Sequence, residues 1–260
     1  MSIILCKFAT TLEYVAEMFD FFKKNKEPQK LCVTTDIHCH VVPGIDDGSP
    51  DAVTSADLVE RMQRWGITRI IASPHVTEAS FENTPQIMNN ALASLKEELD
   101  RRGNGIDISH SAEYRIDDYF FSQIENDNLC PLPGNFLLIE NSFIQEPWDL
   151  DRIVFDLKIK GFKPILAHPE RYFYYAEGHR DRYKKLHVNG LMFQINLLSL
   201  AGHYGKAEKN TAEYLLENDM VDFIGSDLHN HTHADSIDAY LSSRDYQRHL
   251  RHLIPRNDSI

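Results

Sequence analysis

The stretch LCVTTDIHCHVVPGIDDG, Leu31–Gly48, sets the reading of the whole chain. Its first part, Leu31–Asp36, is a short apolar run of the kind that forms a strand. It leads directly into His38-Cys39-His40, and Pro43-Gly44 then turns the backbone so that Asp46-Asp47-Gly48 comes back over the strand end. Side chains alternate across an extended segment, so His38 and His40 share one face while Cys39 points the other way, into the core. Two imidazoles on one face followed by a loop carboxylate make a candidate metal site. A lone His-x-His pair carries little weight, so the rest of the chain has to decide.

Working outward, short apolar runs alternate with longer amphipathic ones. Strands are predicted at Leu31–Asp36, Ile67–Ser73, Ile106–Ala112, Phe136–Glu140, Pro164–His168, Leu191–Asn196 and Val221–Asp227. Helices are predicted near Ala52–Trp65, Pro85–Arg102, Asp117–Asn126, Leu150–Lys160, Arg180–His187 and Ala207–Asn218, with a last one from about Ser236. Seven strand-then-helix units without a break in composition predict an α/β fold with a parallel sheet, closed or nearly closed into a barrel. An open doubly wound sheet gives the same alternation, so periodicity alone leaves both.

Chemistry sits at the strand ends, the rim where parallel barrels place their active sites. Strand one ends in His38-Cys39-His40, strand two in Pro74-His75, strand three in Glu113 and strand four in Glu140. Strand five ends in His168 and strand seven in Asp227-Leu228-His229; strand six differs, ending in Gln194-Ile195-Asn196. With Asp47, the rim offers nine ligand candidates: His38, His40, Asp47, His75, Glu113, Glu140, His168, Asp227 and His229. One ion needs three or four, so this set suits two or three divalent ions that clamp an in-line phosphoryl displacement. Nitrogen and oxygen ligation without cysteine fits Mn, Fe, Zn or Co. His231 and His233 read as solvated loop residues beyond the strand.

Arg171 follows His168 by three residues, and its guanidinium matches a phosphate in a bidentate fork. Phe81, Phe143 and Trp148 lie in loops long enough to shape access, where they could stack on a phenol ring. No Cys-x5-Arg phosphate loop and no Gly-x4-Gly-Lys-Ser/Thr loop is present, which argues against a cysteine phosphatase and a nucleotide site.

The remaining composition excludes several classes. The 260 residues are 42% hydrophobic and 25% charged, which is ordinary for a globular chain. Lys plus Arg number 27 against 39 Asp plus Glu, a net charge of −12 that repels nucleic acid. No apolar run is long enough for a membrane span, no signal peptide is read, and Cys6, Cys32, Cys39 and Cys130 form no disulfide framework. The protein is therefore expected in the cytoplasm. Residues 1–30 read as an appendage, with Leu12, Val15, Ala16, Phe19 and Phe22 at helical spacing and a polar linker. Met18 offers an alternative start, and residues 31–260 form the barrel domain.

The motifs Asp36-Ile37-His38-Cys39-His40 and Pro43-Gly44-Ile45-Asp46-Asp47-Gly48 resemble the opening of the polymerase-and-histidinol-phosphatase (PHP) superfamily. More closely, they resemble the bacterial manganese-dependent protein-tyrosine phosphatases of capsule and exopolysaccharide loci. Ser73-Pro74-His75, Ala112-Glu113-Tyr114, Leu138-Ile139-Glu140, His168-Pro169-Glu170-Arg171 and Ser226-Asp227-Leu228-His229 resemble the later motifs in order, over about Asp36 to His233.

This resemblance implies a distorted (β/α)7 barrel holding three metals, most simply Mn. One site would use His38, His40, Glu113 and Asp227, a second Glu113, Glu140 and His168, and a third Asp47, His75 and His229. It implies a phosphotyrosine substrate on the Tyr-rich tail of a cognate tyrosine autokinase and control of polysaccharide export, with a homo-oligomer allowed. Arg171 would stabilise the transferring phosphoryl group, and His40, His229 or a water would protonate the leaving phenolate. Histidinol-phosphate phosphatase is the rival enzyme, a metal-stabilised kinase-docking scaffold the rival of another class, and metal-dependent amide or ester hydrolysis a minor option.

Overall fold

The computed structural model describes residues 29–175, 178–250 and 252–260. The helix predicted over Leu12–Phe22 lies outside the described residues. From Lys30 onward the strand-then-helix alternation holds. The first units are β1 (Thr35–Asp36), α1 (Ala52–Arg64), β2 (Arg69–Ala72), β3 (His75–Val76), α2 (Pro85–Arg101), β4 (Asp107–His110), β5 (Glu113–Arg115) and α3 (Asp118–Glu125). They continue as β6 (Phe136–Glu140), α4 (Leu150–Ile159), β7 (Lys163–Ala167), α5 (Asp181–Val188), β8 (Met192–Asn196) and α6 (Leu197–Ala201). The last are α7 (Lys206–Glu217), β9 (Phe223–Gly225), α8 (His231–Leu241) and α9 (Arg244–His249).

Every strand pairing is parallel, in the orders β1-β2-β4 and β3-β5-β6-β7-β8-β9. Two predicted strands, Ile67–Ser73 and Ile106–Ala112, are each followed by a short second strand beyond the predicted end, β3 and β5. Pro74 has no N–H to give the ladder and separates β2 from β3, while Ser111-Ala112 separates β4 from β5. The segments stay in register through Ser111 N–H to Ala72 O (2.7 Å) and Glu113 N–H to Pro74 O (3.0 Å). The sheet then curls until its first and last strands meet, with Asp227 N–H on His38 O (2.8 Å) and His40 N–H on Leu228 O (3.0 Å). The result is the distorted seven-strand α/β barrel rather than an open sheet.

Alternation along each strand sorts the core from the site. On β6, Leu137 and Ile139 join the large apolar cluster between sheet and helices, while Phe136 and Leu138 face the other way with Ile165 and Phe223. Glu140 shares that inward face one step further up, so each inward row is apolar below and ionisable at the rim. Helix starts are fixed by side-chain caps: Asp51 accepts from Thr54 N–H, Thr84 from Ile87 N–H ahead of Pro85, and Asp117 from Phe120 N–H. The last predicted helix begins earlier than Ser236. Asn230 caps α8 by accepting from His233 N–H, and Ser243 caps a separate α9, so His231 and His233 are helical rather than loop residues.

The barrel's lower end is closed by the last residues of the chain. The Asn257 amide donates to Thr35 O (3.0 Å) and Ile224 O (2.8 Å) and accepts from Ile224 N–H (3.1 Å). Asp258 accepts from the Thr34 and Thr35 amides. Among the described residues no helix is long and apolar enough to cross a membrane.

Candidate metal centre

All nine ligand candidates converge at the rim. His38 Nε2, His40 Nε2, Glu113 Oε2 and Asp227 Oδ1 are the tightest group. The imidazole pair is 3.3 Å apart, His38 lies 3.3 Å from Glu113 and 3.5 Å from Asp227, and His40 lies 3.5 and 3.4 Å from the same two oxygens. Each carboxylate oxygen thus closes a near-equilateral triangle of about 3.4 Å edges with the two imidazole nitrogens, the spacing of donors that each lie about 2.1 Å from a shared metal. His168 Nε2 lies 2.9 Å from Glu113 Oε1 and 3.6 Å from Glu140 Oε1, so Glu113 faces two adjacent positions at once. Asp47 Oδ1 lies 3.6 Å from His75 Nε2 and 3.5 Å from His229 Nε2, a third group that also takes in His40.

The donor set fits cations better than it fits itself. Glu113 Oε2, His75 Nδ1 and His168 Nδ1 are buried without a hydrogen-bond partner, although Glu113 Oε2 sits only 3.0 Å from His75 Nδ1. A buried acceptor left unpaired costs about 1–3 kcal/mol, more when it is charged, unless a cation takes it. Burial alone would push the His38 imidazole down, but the Glu113 and Asp227 carboxylates outweigh it and hold its pKa up to about 9. Burial likewise opposes ionisation of Glu113 and Asp227, yet the neighbouring imidazoles, His38 foremost, keep both well below the usual carboxylate range. A field that favours imidazolium so strongly favours a divalent cation in the same place.

Outer partners fix the imidazoles' orientation. His38 Nδ1–H donates to Gln194 Oε1 (2.6 Å), His40 Nδ1–H to Asp46 Oδ2 (2.8 Å) and His229 Nδ1–H to the Asp227 carbonyl (2.9 Å). Each bond leaves Nε2 as the lone-pair nitrogen, the arrangement that metal-binding histidines use. On Asp227, Oδ2 is held by the Asn196 amide (2.6 Å), Tyr204 hydroxyl (3.0 Å) and Arg171 Nη1 (3.2 Å), which turns Oδ1 toward the imidazoles. The backbone is strained at the same points. His168 (φ 33°) and Asp227 (φ 50°) are left-handed non-glycine residues, each costing about 1–3 kcal/mol. Gly225 is needed for close approach, because a Cβ there would lie 2.6 Å from His38 Cβ.

Above the ligands opens a cavity of about 500 Å³. Arg171 lies along one wall, its guanidinium 4.2 Å from the Tyr204 ring centre and 4.9 Å from that of Phe143. Glu170, which might have neutralised it, is buried and accepts instead from Asn196 N–H (2.8 Å). Phe81 stacks on His75 at 5.8 Å and Phe143 on His168 at 5.7 Å, so both aromatic residues line the cavity. Trp148 does not: it is 98% exposed and points away from the lining.

Sequence reasoning missed four contributors. Asp46 is buried under His40 while its neighbour Asp47 faces the cavity, and adjacent aspartates cannot be told apart by type. Arg115 lines the cavity two residues after Glu113, a period-two relation to a ligand that was readable. Tyr204 carried no signal. His233, read as solvated, lines the cavity and donates from Nδ1–H to the Asp227 carbonyl (3.2 Å); burial, then the His229 charge, pushes it down to about 4.

A parallel barrel with a histidine–carboxylate cluster at its rim defines a class of metal-centred hydrolase scaffolds. The comparisons narrow it. The family model for capsular polysaccharide synthesis proteins, CpsB/CapC, matches residues 34–240, and the chain belongs to that family. It is 33% identical over 200 residues to the tyrosine-protein phosphatase YwqE of Bacillus subtilis, covering 75% of this chain and 77% of the relative. It is 30% identical over 205 residues to the tyrosine-protein phosphatase CpsB of Streptococcus agalactiae, covering 75% and 82%. A crystal structure from work on B. subtilis YwqE and Streptococcus pneumoniae CpsB, described as unique metal-dependent tyrosine phosphatases, superposes with a TM-score of 0.72 at 28% identity. That match covers 84% of this chain and 91% of the other.

Proposed function

We propose that the chain is a metal-dependent protein-tyrosine phosphatase that hydrolyses phosphotyrosine on a cognate tyrosine autokinase in capsule or exopolysaccharide synthesis. The observation that carries this reading is the buried cluster in which Glu113 and Asp227 each lie 3.3–3.5 Å from both His38 and His40, under an arginine- and phenylalanine-walled cavity. Family membership and the named activity of the relatives support it. His38, His40, Glu113 and Asp227 would hold one ion, Glu113, Glu140 and His168 a second, and Asp47, His75 and His229 a third, with Mn the simplest choice. When bound, divalent ions supply an activated water and charge neutralisation for in-line displacement.

The chain's own residues do the rest. Asp46, Asp47, Glu113, Glu140 and Asp227 set five negative charges against the guanidinia of Arg115 and Arg171, a net of −3. With the imidazoles neutral as ligands, two divalent ions turn that to +1 and three to +3, a charge that attracts a phosphate dianion. Arg171 binds the equatorial oxygens, where charge builds in a phosphoryl transfer. Phe81 and Phe143 flank the ring of an aryl phosphate. Both ring nitrogens of His40 are engaged, which makes it a ligand rather than a proton donor. A phenol pKa of about 10 lets the leaving group depart with little acid assistance.

Phosphate release from a phosphotyrosine peptide by chelator-stripped protein, with Mn²⁺ added back, tests the reading. His38→Ala/His40→Ala serves as control and histidinol phosphate is run beside it. Mn-restored turnover of the peptide that the control lacks is the expected result. Turnover of histidinol phosphate alone, or of neither with metal bound, contradicts it.

A further inference from the structure

We propose that Arg115 is a second phosphate-binding residue, closing a two-arginine clamp with Arg171 across the Phe143 ring. The inference rests on the phosphatase reading and names how that site grips its substrate. Arg115 leaves β5 two residues after Glu113, so it shares the inward face of the strand one step higher, between the ligand and the cavity. Its Nε–H donates to Glu140 Oε2 at 2.7 Å, which pins the head group. Among the described residues the Nη amines have no hydrogen-bond partner, and the side chain, 26% exposed, lines the cavity.

Arg171 is placed the same way from the opposite side. One Nη1–H goes to Asp227 Oδ2, and its other N–H groups have no partner among the described residues. Both guanidinia lie against one ring: Arg115 is 5.6 Å and Arg171 4.9 Å from the Phe143 centre. Phe143 is itself stacked on His168, so the ring holds both cations at fixed height over the ligand cluster. Cation–π contact stabilises such like-charged neighbours only partly, and their approach becomes favourable when an anion sits between them. A guanidinium carries five donors, and here each arginine spends one on a carboxylate that faces the cluster. Both side chains line the cavity above the cluster, so their remaining donors are available to the outer oxygens of a dianionic phosphate bound there.

A purely structural alternative gives Arg115 one task, holding Glu140 in place. The two roles separate in binding. Full-length protein saturated with Mn²⁺ is compared as wild type, Arg115→Gln, Arg115→Lys and Phe143→Leu. For each, bound Mn, kcat, KM for the phosphotyrosine peptide and calorimetric affinity for inorganic phosphate are measured.

Arg115→Gln is expected to keep its Mn and lose roughly tenfold or more in both phosphate affinity and 1/KM, the size of one charge-assisted pair of hydrogen bonds, with a smaller fall in kcat. Arg115→Lys should recover part of the loss, since it restores charge without the fork. Phe143→Leu removes the ring that both guanidinia rest against but no metal-donor atom, and should weaken phosphate binding at unchanged Mn content. Unchanged phosphate affinity in Phe143→Leu together with Mn loss in Arg115→Gln would overturn the clamp and leave only the support of Glu140. Unchanged phosphate affinity in Arg115→Gln at full Mn would overturn it outright. Phosphate binding needs no turnover, so an inactive wild type would count against the phosphatase reading without deciding the clamp.

Discussion

The two ends of the barrel both bury polar side chains, to opposite effect. At the lower end, Asn257 is fully buried and every group it meets is paired, closing a ring between β1, β9 and the chain's last turn. At the rim, Glu113 is equally buried, yet one oxygen has no hydrogen-bond partner and crowds three imidazoles at 3.0–3.5 Å. A satisfied buried network locks a structure, whereas an unsatisfied one of this charge density describes the ligand it lacks. Backbone strain adds to the rim, where His168 and Asp227 are held in the left-handed region.

Substitutions at the two ends should therefore separate activity from stability. The largest effect is expected for Glu113→Gln, which removes a donor shared by two clusters: turnover should fall by ~10³-fold or more and bound metal should drop, since ligand and chemistry are lost together. Its metal-free form should unfold within a few degrees of wild type, because the amide keeps an oxygen to accept from His168 Nε2–H and the Oε2 it replaces has no hydrogen-bond partner. Asn257→Ala should do the reverse. Unpairing Thr35 O, Ile224 O and Ile224 N–H should cost about 2–4 kcal/mol in urea unfolding, with metal content and kcat retained. Metal loss in Asn257→Ala, or global unfolding of Glu113→Gln, would break the comparison.

Smaller effects sharpen it. Asp46→Asn, which weakens the orienting partner of His40 and an acceptor of the His75 and Gly48 amides, should weaken metal affinity or activity by roughly 10–100-fold; unchanged metal titration would leave Asp46 a bystander. Mn²⁺ at ~1,000 times its dissociation constant should stabilise the protein by about 4 kcal/mol, read as the melting difference with and without chelator.

The smallest effect concerns His249, away from the rim and bonded to Tyr240 (2.8 Å). Burial holds its imidazole below the ordinary value, and Glu213 offsets this only in part. The folded state then binds fewer protons than the unfolded one, so this contribution is present above pH ~6.5 and lost as the pH falls below it. Melting of metal-free wild type and His249→Gln across pH 7.5 to 5 should show a shallower acid slope in the variant; parallel slopes would remove His249 from the account.

Much of the site was legible because rim ligands sit at fixed places in a repeating unit. A polar residue closing an apolar run, as at Glu140 or Asp227, is costly anywhere but on such a rim, and that cost makes it readable. Barrel closure was not legible from periodicity, since the bonds between His38, Leu228 and Asp227 join the chain's first and last strands. The short strands β3 and β5 were missed because the predicted runs ended at Ser73 and Ala112, just before them. Asn257 and Asp258 were invisible for the same reason: their partners are about 220 residues away or more in sequence for Thr34 and Thr35. Arg115 was missed although its period-two relation to Glu113 was in plain view, because a strand was read as ending at its ligand.

Anomalous diffraction at the manganese edge from crystals grown with Mn²⁺ tests the central claim most directly. The account expects peaks at the rim, the first inside the quartet of His38 Nε2, His40 Nε2, Glu113 Oε2 and Asp227 Oδ1, and a neighbour on the far side of the Glu113 carboxylate. A rim without anomalous density, with Glu113 paired to protein instead, would contradict it.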